Sequence, residues 1–246
     1  METNAFYQIG RDHKVCEDYA ICGMEPFPYT ILSDGCSTGK HTDVGSRILV
    51  SMTKKNIALF NPDNYIDFIR TVIFQAKTIA KIMDVEKECL LATLILTVYL
   101  ENKVYVLMIG DGCFIYKQDN EIKFIKHEYL NNYPYYPIYI NSELDDSHKG
   151  LVINKNEIIE QEQFNHIELY QFEKIDLLIT SSDGIFSFTN GDSVVDFEIF
   201  KNEVADIKSF TGEFIERKMK RMTKNYLKKG FYNSDDWSMT GLFLGD

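Results

Sequence analysis

Apolar residues at Tyr65, Ile66, Ile69, Val72, Ile73, Ala76, Ile79, Ala80 and Met83 recur at three- and four-residue intervals, the spacing of one helix face. The pattern predicts a helix from Tyr65 onward, opened by Asn61 and Pro62. Phe214, Ile215, Met219, Met222, Tyr226 and Leu227 mark a second helix face, and Gly230 is placed to end it. Elsewhere the apolar runs are short and rich in β-branched and aromatic residues. Tyr29–Ser33 (YTILS) predicts a strand, and LLATLILTVYLE and KVYVLMIG, separated by Asn102 and Lys103, predict a hairpin. CFIYK after Asp111-Gly112, DLLITSS over residues 176–182 and WSMTGLFLG near the end predict three more strands. Residues 128–163 follow neither period; with Pro134 and Pro137 among several tyrosines, they read as an irregular, exposed excursion. Adjacent strands with helices gathered in two places predict an α+β fold rather than alternating βαβ units, on a single domain spanning residues 1–246.

Composition narrows the partners. The chain has 37 acidic and 26 basic side chains, a formal net charge of −11, and a surface of that sign repels nucleic acid and anionic membranes. The longest apolar stretch, residues 90–100, is interrupted by Thr93, Thr97 and Tyr99 and falls short of the roughly 20 apolar residues of a membrane span. The opening residues METNAFYQIGRDHK carry no apolar signal segment, so a cytoplasmic protein is the expectation. Five cysteines (Cys16, Cys22, Cys36, Cys89 and Cys113) with no C-x-x-C pair read as free thiols rather than a disulfide framework or a structural zinc site.

The informative residues are acidic. Three Asp-Gly pairs, Asp34-Gly35, Asp111-Gly112 and Asp183-Gly184, each follow an apolar strand candidate, and a further acidic pair, Asp235-Asp236, precedes the last strand. Carboxylates fixed at strand ends suit hard divalent cations, which prefer oxygen ligands. Glycine after the aspartate lets the backbone turn sharply and approach a ligand. Against this stands the fact that Asp-Gly is a favoured hairpin turn, and VLMIGDGCFIY taken alone reads as a hairpin.

Order and local wording add to that reading. His13-Lys14-Val15-Cys16-Glu17-Asp18, Ser33-Asp34-Gly35 with Val44-Gly45-Ser46, Leu91-Ala92-Thr93-Leu94, Ile109-Gly110-Asp111-Gly112, Thr180-Ser181-Ser182-Asp183-Gly184 and Asp235-Asp236-Trp237-Ser238 follow one another along nearly the whole chain. In this order they resemble the motifs of the type 2C, metal-dependent serine/threonine protein phosphatases. The opening motif is similar to that of a bacterial-like subgroup with histidine first and cysteine before the acidic pair.

The resemblance implies a four-layer α-β-β-α sandwich, two antiparallel sheets flanked by helices, with a metal centre in a cleft at one edge. It implies two Mn2+ or Mg2+ ions held by Asp34, the Gly35 carbonyl, Asp183 and Asp235, with Glu17 and Asp18 holding metal-bound waters. Asp111 and Asp183 would form a weaker third site. A pair of cations about 3.5–4 Å apart activates water for in-line attack on phosphorus. The substrate implied is a phosphorylated protein, and residues 128–163 fall where relatives carry a flap beside the site; the identity of the substrate and the oligomeric state stay open.

Three positions depart from the family's pattern. His13 stands where many members place a phosphate-binding arginine, and reads equally as a phosphate contact or a structural hydrogen bond. Lys14 or Arg11 are its candidate substitutes. Cys36 stands where some members carry a general-acid histidine, while His41 reads as a surface residue; Ser187 replaces an acidic third-site residue. A cysteine phosphatase is disfavoured, since the loop CSTGKHT holds no arginine and Arg47 comes too late for C-x5-R. The alternative to an active phosphatase is a phosphatase-like binding or regulatory module that hydrolyses slowly.

Overall fold

In the computed structural model, which describes residues 1–129, 133–140, 150–154, 157–159 and 166–245, the apolar runs are strands covered on both faces. The run Leu94–Leu100 (β4) sends Leu94 and Leu96 into one core and Ile95 into another. In the run Leu177–Ser181 (β11), Leu177 and Ile179 face one way and Leu178 the other. Alternate side chains of a strand point to opposite faces, so burial on both sides reads as a continuous apolar run.

Among the described residues these strands form two large antiparallel sheets. One has the order β1 (Glu2–Gln8), β15 (Trp237–Phe243), β11, β6 (Gly112–Gln118), β7 (Glu121–Tyr129), β8 (Gly150–Asn154) and β9 (Glu157–Ile159). The other has the order β10 (Ile167–Phe172), β5 (Lys103–Ile109), β4, β3 (Tyr29–Ser33) and β2 (Tyr19–Gly23). Ala20, Leu32, Ile95, Val106, Phe114 and Leu178 fill the space between them. Helices α1 (Thr42–Asn56) and α2 (Tyr65–Ile82) cover the outer face of the second sheet, burying Leu49, Ile69, Val72 and Ile73 against Leu94 and Leu107. Helices α3 (Phe197–Ala205) and α4 (Phe214–Lys228) cover the first, burying Phe200, Ile215 and Met219 with Ile179 and Trp237. The result is the expected α-β-β-α sandwich. A small sheet of β12 (Phe188–Asn190), β13 (Ser193–Val194) and β14 (Tyr232–Asn233) lies beside it. No helix of the described residues is long and apolar enough to cross a membrane.

Several elements differ from expectation. The β4–β5 hairpin turns at Glu101 and Asn102, both at positive φ (52° and 61°), and Lys103 already belongs to β5. Asp111-Gly112 is not a hairpin: β5 and β6 lie in different sheets, and Asp111 sits where the chain steps between them. Helix α1 carries a weaker apolar period than α2, because its buried face mixes Thr42, Gly45, Ser46 and Thr53 with Ile48 and Leu49. Of residues 128–163, Glu128 and Tyr129 complete β7, and β8 pairs with β9. Residues 133–140 are irregular as expected but not exposed, since Tyr135, Tyr136, Ile138 and Ile140 are buried. The remainder of that stretch lies outside the described residues.

Candidate metal centre

Hydrogen bonds to backbone distant in sequence fix Asp34 and the Asp235-Asp236 pair. Asp34 follows β3, and its N–H donates to Thr93 Oγ1 (3.0 Å) while Thr93 N–H donates back to the Asp34 carbonyl (2.8 Å). Ser33 Oγ donates to the Thr93 carbonyl at 2.6 Å, so the Ala-Thr segment clamps the end of β3. Asp183 follows β11 and starts a tight helical turn, Asp183–Phe186. Asp236 is buried and accepts from the backbone N–H groups of Gly10 (2.7 Å) and Glu17 (2.6 Å). These bonds tie the loop carrying His13, Glu17 and Asp18 to the start of β15. Gly10 is required there, because a Cβ would lie 2.2 Å from the Asp235 carbonyl carbon.

The strand ends converge. Asp34, Gly35, Asp111, Asp183 and Asp235 line a cleft of about 390 Å³, together with Cys36, Thr93 and Tyr136. A second lobe of about 220 Å³ shares Asp111, Asp183 and Asp235 and is completed by Lys126, His127, Glu128 and Phe186. The structure thus gathers all the predicted metal residues, Asp111 included. His13 and Glu17 join from behind Asp235: His13 Nε2 lies 2.9 Å from Asp235 Oδ1 and Nδ1 lies 2.9 Å from Glu17 Oε2. Asp18 is fully buried, with Oδ2 accepting from Ser182 Oγ (2.7 Å) and Oδ1 without a hydrogen-bond partner among the described residues.

Electrostatically the cluster is under-neutralised. Desolvation raises Asp34 well above the usual carboxylate range, reinforced by Asp18, Asp183 and Asp111. Desolvation and Asp183 push Asp111 up to about 8, and desolvation with Asp183 pushes Asp235 up to about 6. Desolvation, partly offset by the Ser182 hydrogen bond, takes Asp18 to about 7. Several carboxylates that repel one another, a glycine carbonyl at the cleft wall and an orphaned carboxylate oxygen form a donor set that suits hard divalent cations. The residues present fit such ions.

The departures resolve individually. His13 is engaged at both ring nitrogens by carboxylates, which is the structural hydrogen-bonding arrangement. Burial opposes its protonation, but Asp236, the Glu17 bond and Asp235 outweigh burial and leave its pKa raised. Arg11 stacks over the Tyr232 ring at 4.0 Å and Lys14 is exposed; neither lines the cleft. His41 is exposed, as expected. Cys36 lines the cleft beside Tyr136. Ser187 Oγ donates to the Gly184 carbonyl (2.8 Å) and accepts from Asp235 N–H (3.3 Å), so it positions Asp235 rather than offering a carboxylate. Sequence reasoning missed Gly10, Ser182 and Lys126 and did not see the anchoring role of Asp236; Tyr136 and Pro134 line the cleft from the segment that the resemblance set beside the site. Ser182 and Asp236 adjoin Asp183 and Asp235 in the sequence, and that adjacency was the available signal.

Comparison with known proteins agrees with this geometry. The family described as Protein phosphatase 2C matches residues 10–229. No match was found among curated protein sequences. Among solved structures, a bacterial serine phosphatase superposes with a TM-score of 0.64 at 16% identity, covering 100% of this chain and 99% of that one. The serine/threonine phosphatase Stp1 from Staphylococcus aureus gives 0.64 at 15%, covering 100% and 96%. The catalytic domain of the serine/threonine protein phosphatase PstP, solved in complex with two manganese ions, gives 0.62 at 16%, covering 99% and 98%. At such identities the likeness speaks for the fold, while the family match spans most of the sequence. With the sandwich and the convergent strand-end aspartates, it shows that the chain belongs to the protein phosphatase 2C family of metal-dependent serine/threonine protein phosphatases.

Proposed function

We propose that the cleft hydrolyses phosphoserine and phosphothreonine in cytoplasmic proteins with two divalent cations, Mn2+ or Mg2+, held by Asp34, the Gly35 carbonyl, Asp183 and Asp235. The observation that carries this reading is the convergence of Asp34, Asp111, Asp183 and Asp235 on one cleft, with the acidities of Asp34, Asp111 and Asp235 depressed by desolvation and by neighbouring carboxylates. When bound, the cations supply an activated water and offset phosphoryl charge. The chain's own residues set that chemistry up. Glu17 and Asp18 would hold waters of the bound cations, and His13, hydrogen-bonded to Glu17 and Asp235, ties the two together. Asp111 and Asp183 serve a weaker third cation. Five free cysteines agree with a reducing compartment, and the opposing enzyme would be a serine/threonine kinase.

The test is Mn2+-dependent phosphate release from phosphoserine, phosphothreonine and phosphotyrosine peptides by the wild type, Asp34→Ala and Asp183→Ala. Release from the first two substrates, lost in both variants, is the expected result. Activity that survives both substitutions would overturn the site assignment. Wild-type silence with manganese bound would favour a phosphatase-like binding module, the reading to which the engaged His13 would then contribute.

A further inference from the structure

Phosphoryl recognition needs positive charge from the protein as well as from cations, because a phosphate dianion must be desolvated as it enters a cleft. This cleft offers very little. Among the described residues lining its two lobes, Asp34, Asp111, Asp183, Asp235 and Glu128 are acidic, and Lys126 is the one permanently cationic side chain. His13 approaches Asp235 but is held at both nitrogens by carboxylates.

Lys126 is a built feature of the lobe rather than a solvated surface group. It lies on β7, with its side chain 19% exposed, and its ammonium stands 4.2 Å from the centre of the Phe186 ring, on the turn begun by Asp183. Its charge reaches the cluster, since it works against the upward shift of Asp111. Its ion-pair partner is Glu128 at 2.9 Å, whose side chain is 48% exposed. A pair with one exposed member is weak enough for an incoming anion to displace.

We propose that Lys126 binds the phosphoryl group of the substrate: the ammonium releases Glu128 and engages phosphoryl oxygens above the floor formed by Asp111, Asp183 and Asp235. The proposal rests on the phosphatase reading for its substrate, but it concerns anion binding and is measurable without turnover. Glu128 then acts as an internal competitor, occupying Lys126 when the cleft is empty.

The experiment uses the full chain loaded with Mn2+ and two probes, inorganic phosphate and p-nitrophenyl phosphate. Lys126→Met keeps the aliphatic stem over Phe186 and removes the charge. It is expected to weaken phosphate binding by calorimetry, and to raise KM for the aryl phosphate, each about tenfold or more, with a smaller change in kcat. Lys126→Arg, which restores the charge, is expected to recover phosphate binding relative to Lys126→Met. Glu128→Gln is expected to move phosphate affinity the opposite way, a gain that a merely structural role for the pair would not produce. Phosphate affinity unchanged in Lys126→Met would overturn the proposal, as would an extra bound cation in that variant with phosphate affinity intact. If the wild type does not hydrolyse p-nitrophenyl phosphate, the phosphatase reading fails while the titration with inorganic phosphate still decides the role of Lys126.

Discussion

His13 Nε2 stands 2.9 Å from Asp235 Oδ1, joining the loop that follows β1 to the residues that precede β15. The same ring reaches Glu17 through Nδ1. Two carboxylates can only accept, so the arrangement is satisfied in full by the doubly protonated imidazolium. That cation occupies oxygen atoms that a divalent ion would use.

Metal binding should therefore be opposed by a proton on His13. The pKa of His13 is raised, so the competition is strongest on the acid side of neutrality and fades as pH rises. Calorimetric Mn2+ titration should show His13→Ala binding more tightly than wild type at about pH 6, with the two converging by about pH 9. Parallel pH profiles for the two proteins would count against the competition.

The carboxylates predict how stability without metal depends on pH. Asp235, Asp18 and Asp111 hold their protons to about 6, 7 and 8 in the folded chain, whereas an unfolded aspartate releases its proton near 3.8. Between those limits the folded state binds more protons, so stability falls as pH rises. His13, also raised, contributes in the same direction. In chelator, the melting temperature should drop from about pH 5 to about pH 8, and Asp111→Asn should flatten part of that slope. Excess Mn2+ should restore stability most at the upper end, where the carboxylates are charged.

The central strands were legible because both of their faces are covered: Leu94, Ile95 and Leu96 read as one apolar run although they serve two cores. Strand β1 left no such mark. Its residues are mostly half-buried, and its pairing with β15 joins positions more than 200 residues apart. Asp34, Asp183 and Asp235 were legible as strand-end carboxylates. Asp111 was legible in the same way but ambiguously, since Asp-Gly between two apolar runs is also written like a hairpin; the assignment of β5 and β6 to different sheets removes the hairpin reading and leaves Asp111 in the cleft. Lys126 looks like any polar member of a strand, and nothing local shows that β7 carries it to the wall of the site.

Cys36 should be the most reactive thiol of the chain. Burial alone would raise its pKa, but hydrogen bonds from the Thr38 and Tyr136 hydroxyls and from the Thr38 and Gly39 amides outweigh burial and lower it. Cys89 and Cys113 are buried, and Cys16 is pushed up to about 12 by burial with Asp236 and Asp18. Alkylation near neutral pH, followed by peptide mapping, should label Cys36 first. Because its sulfur lines the cleft, a bulky label should block phosphopeptide hydrolysis, whereas Cys36→Ser should remain active and resist the reagent.

Gly10 is the sharpest test of how the site is assembled. Its N–H donates to Asp236 Oδ1 at 2.7 Å, and its α-carbon packs so closely on Asp235 that a Cβ would lie 2.2 Å from the carbonyl carbon and 2.4 Å from the carbonyl oxygen. That neighbour is backbone, so no side chain can swing aside. Gly10→Ala must displace either the His13 loop or the Asp235-Asp236 segment, at a cost of about 1–3 kcal/mol. Both movements shift the Asp235 carboxylate relative to the rest of the cleft and part Glu17 from Asp236, so manganese affinity should fall along with the melting temperature. Gly191→Ala is the control: its φ of 58° strains the backbone as well, but a Cβ there meets nothing within 4 Å. That variant should lose stability alone and keep its metal affinity. Equal manganese affinities in the two variants would show that the Gly10 contact plays no part in holding the metal ligands.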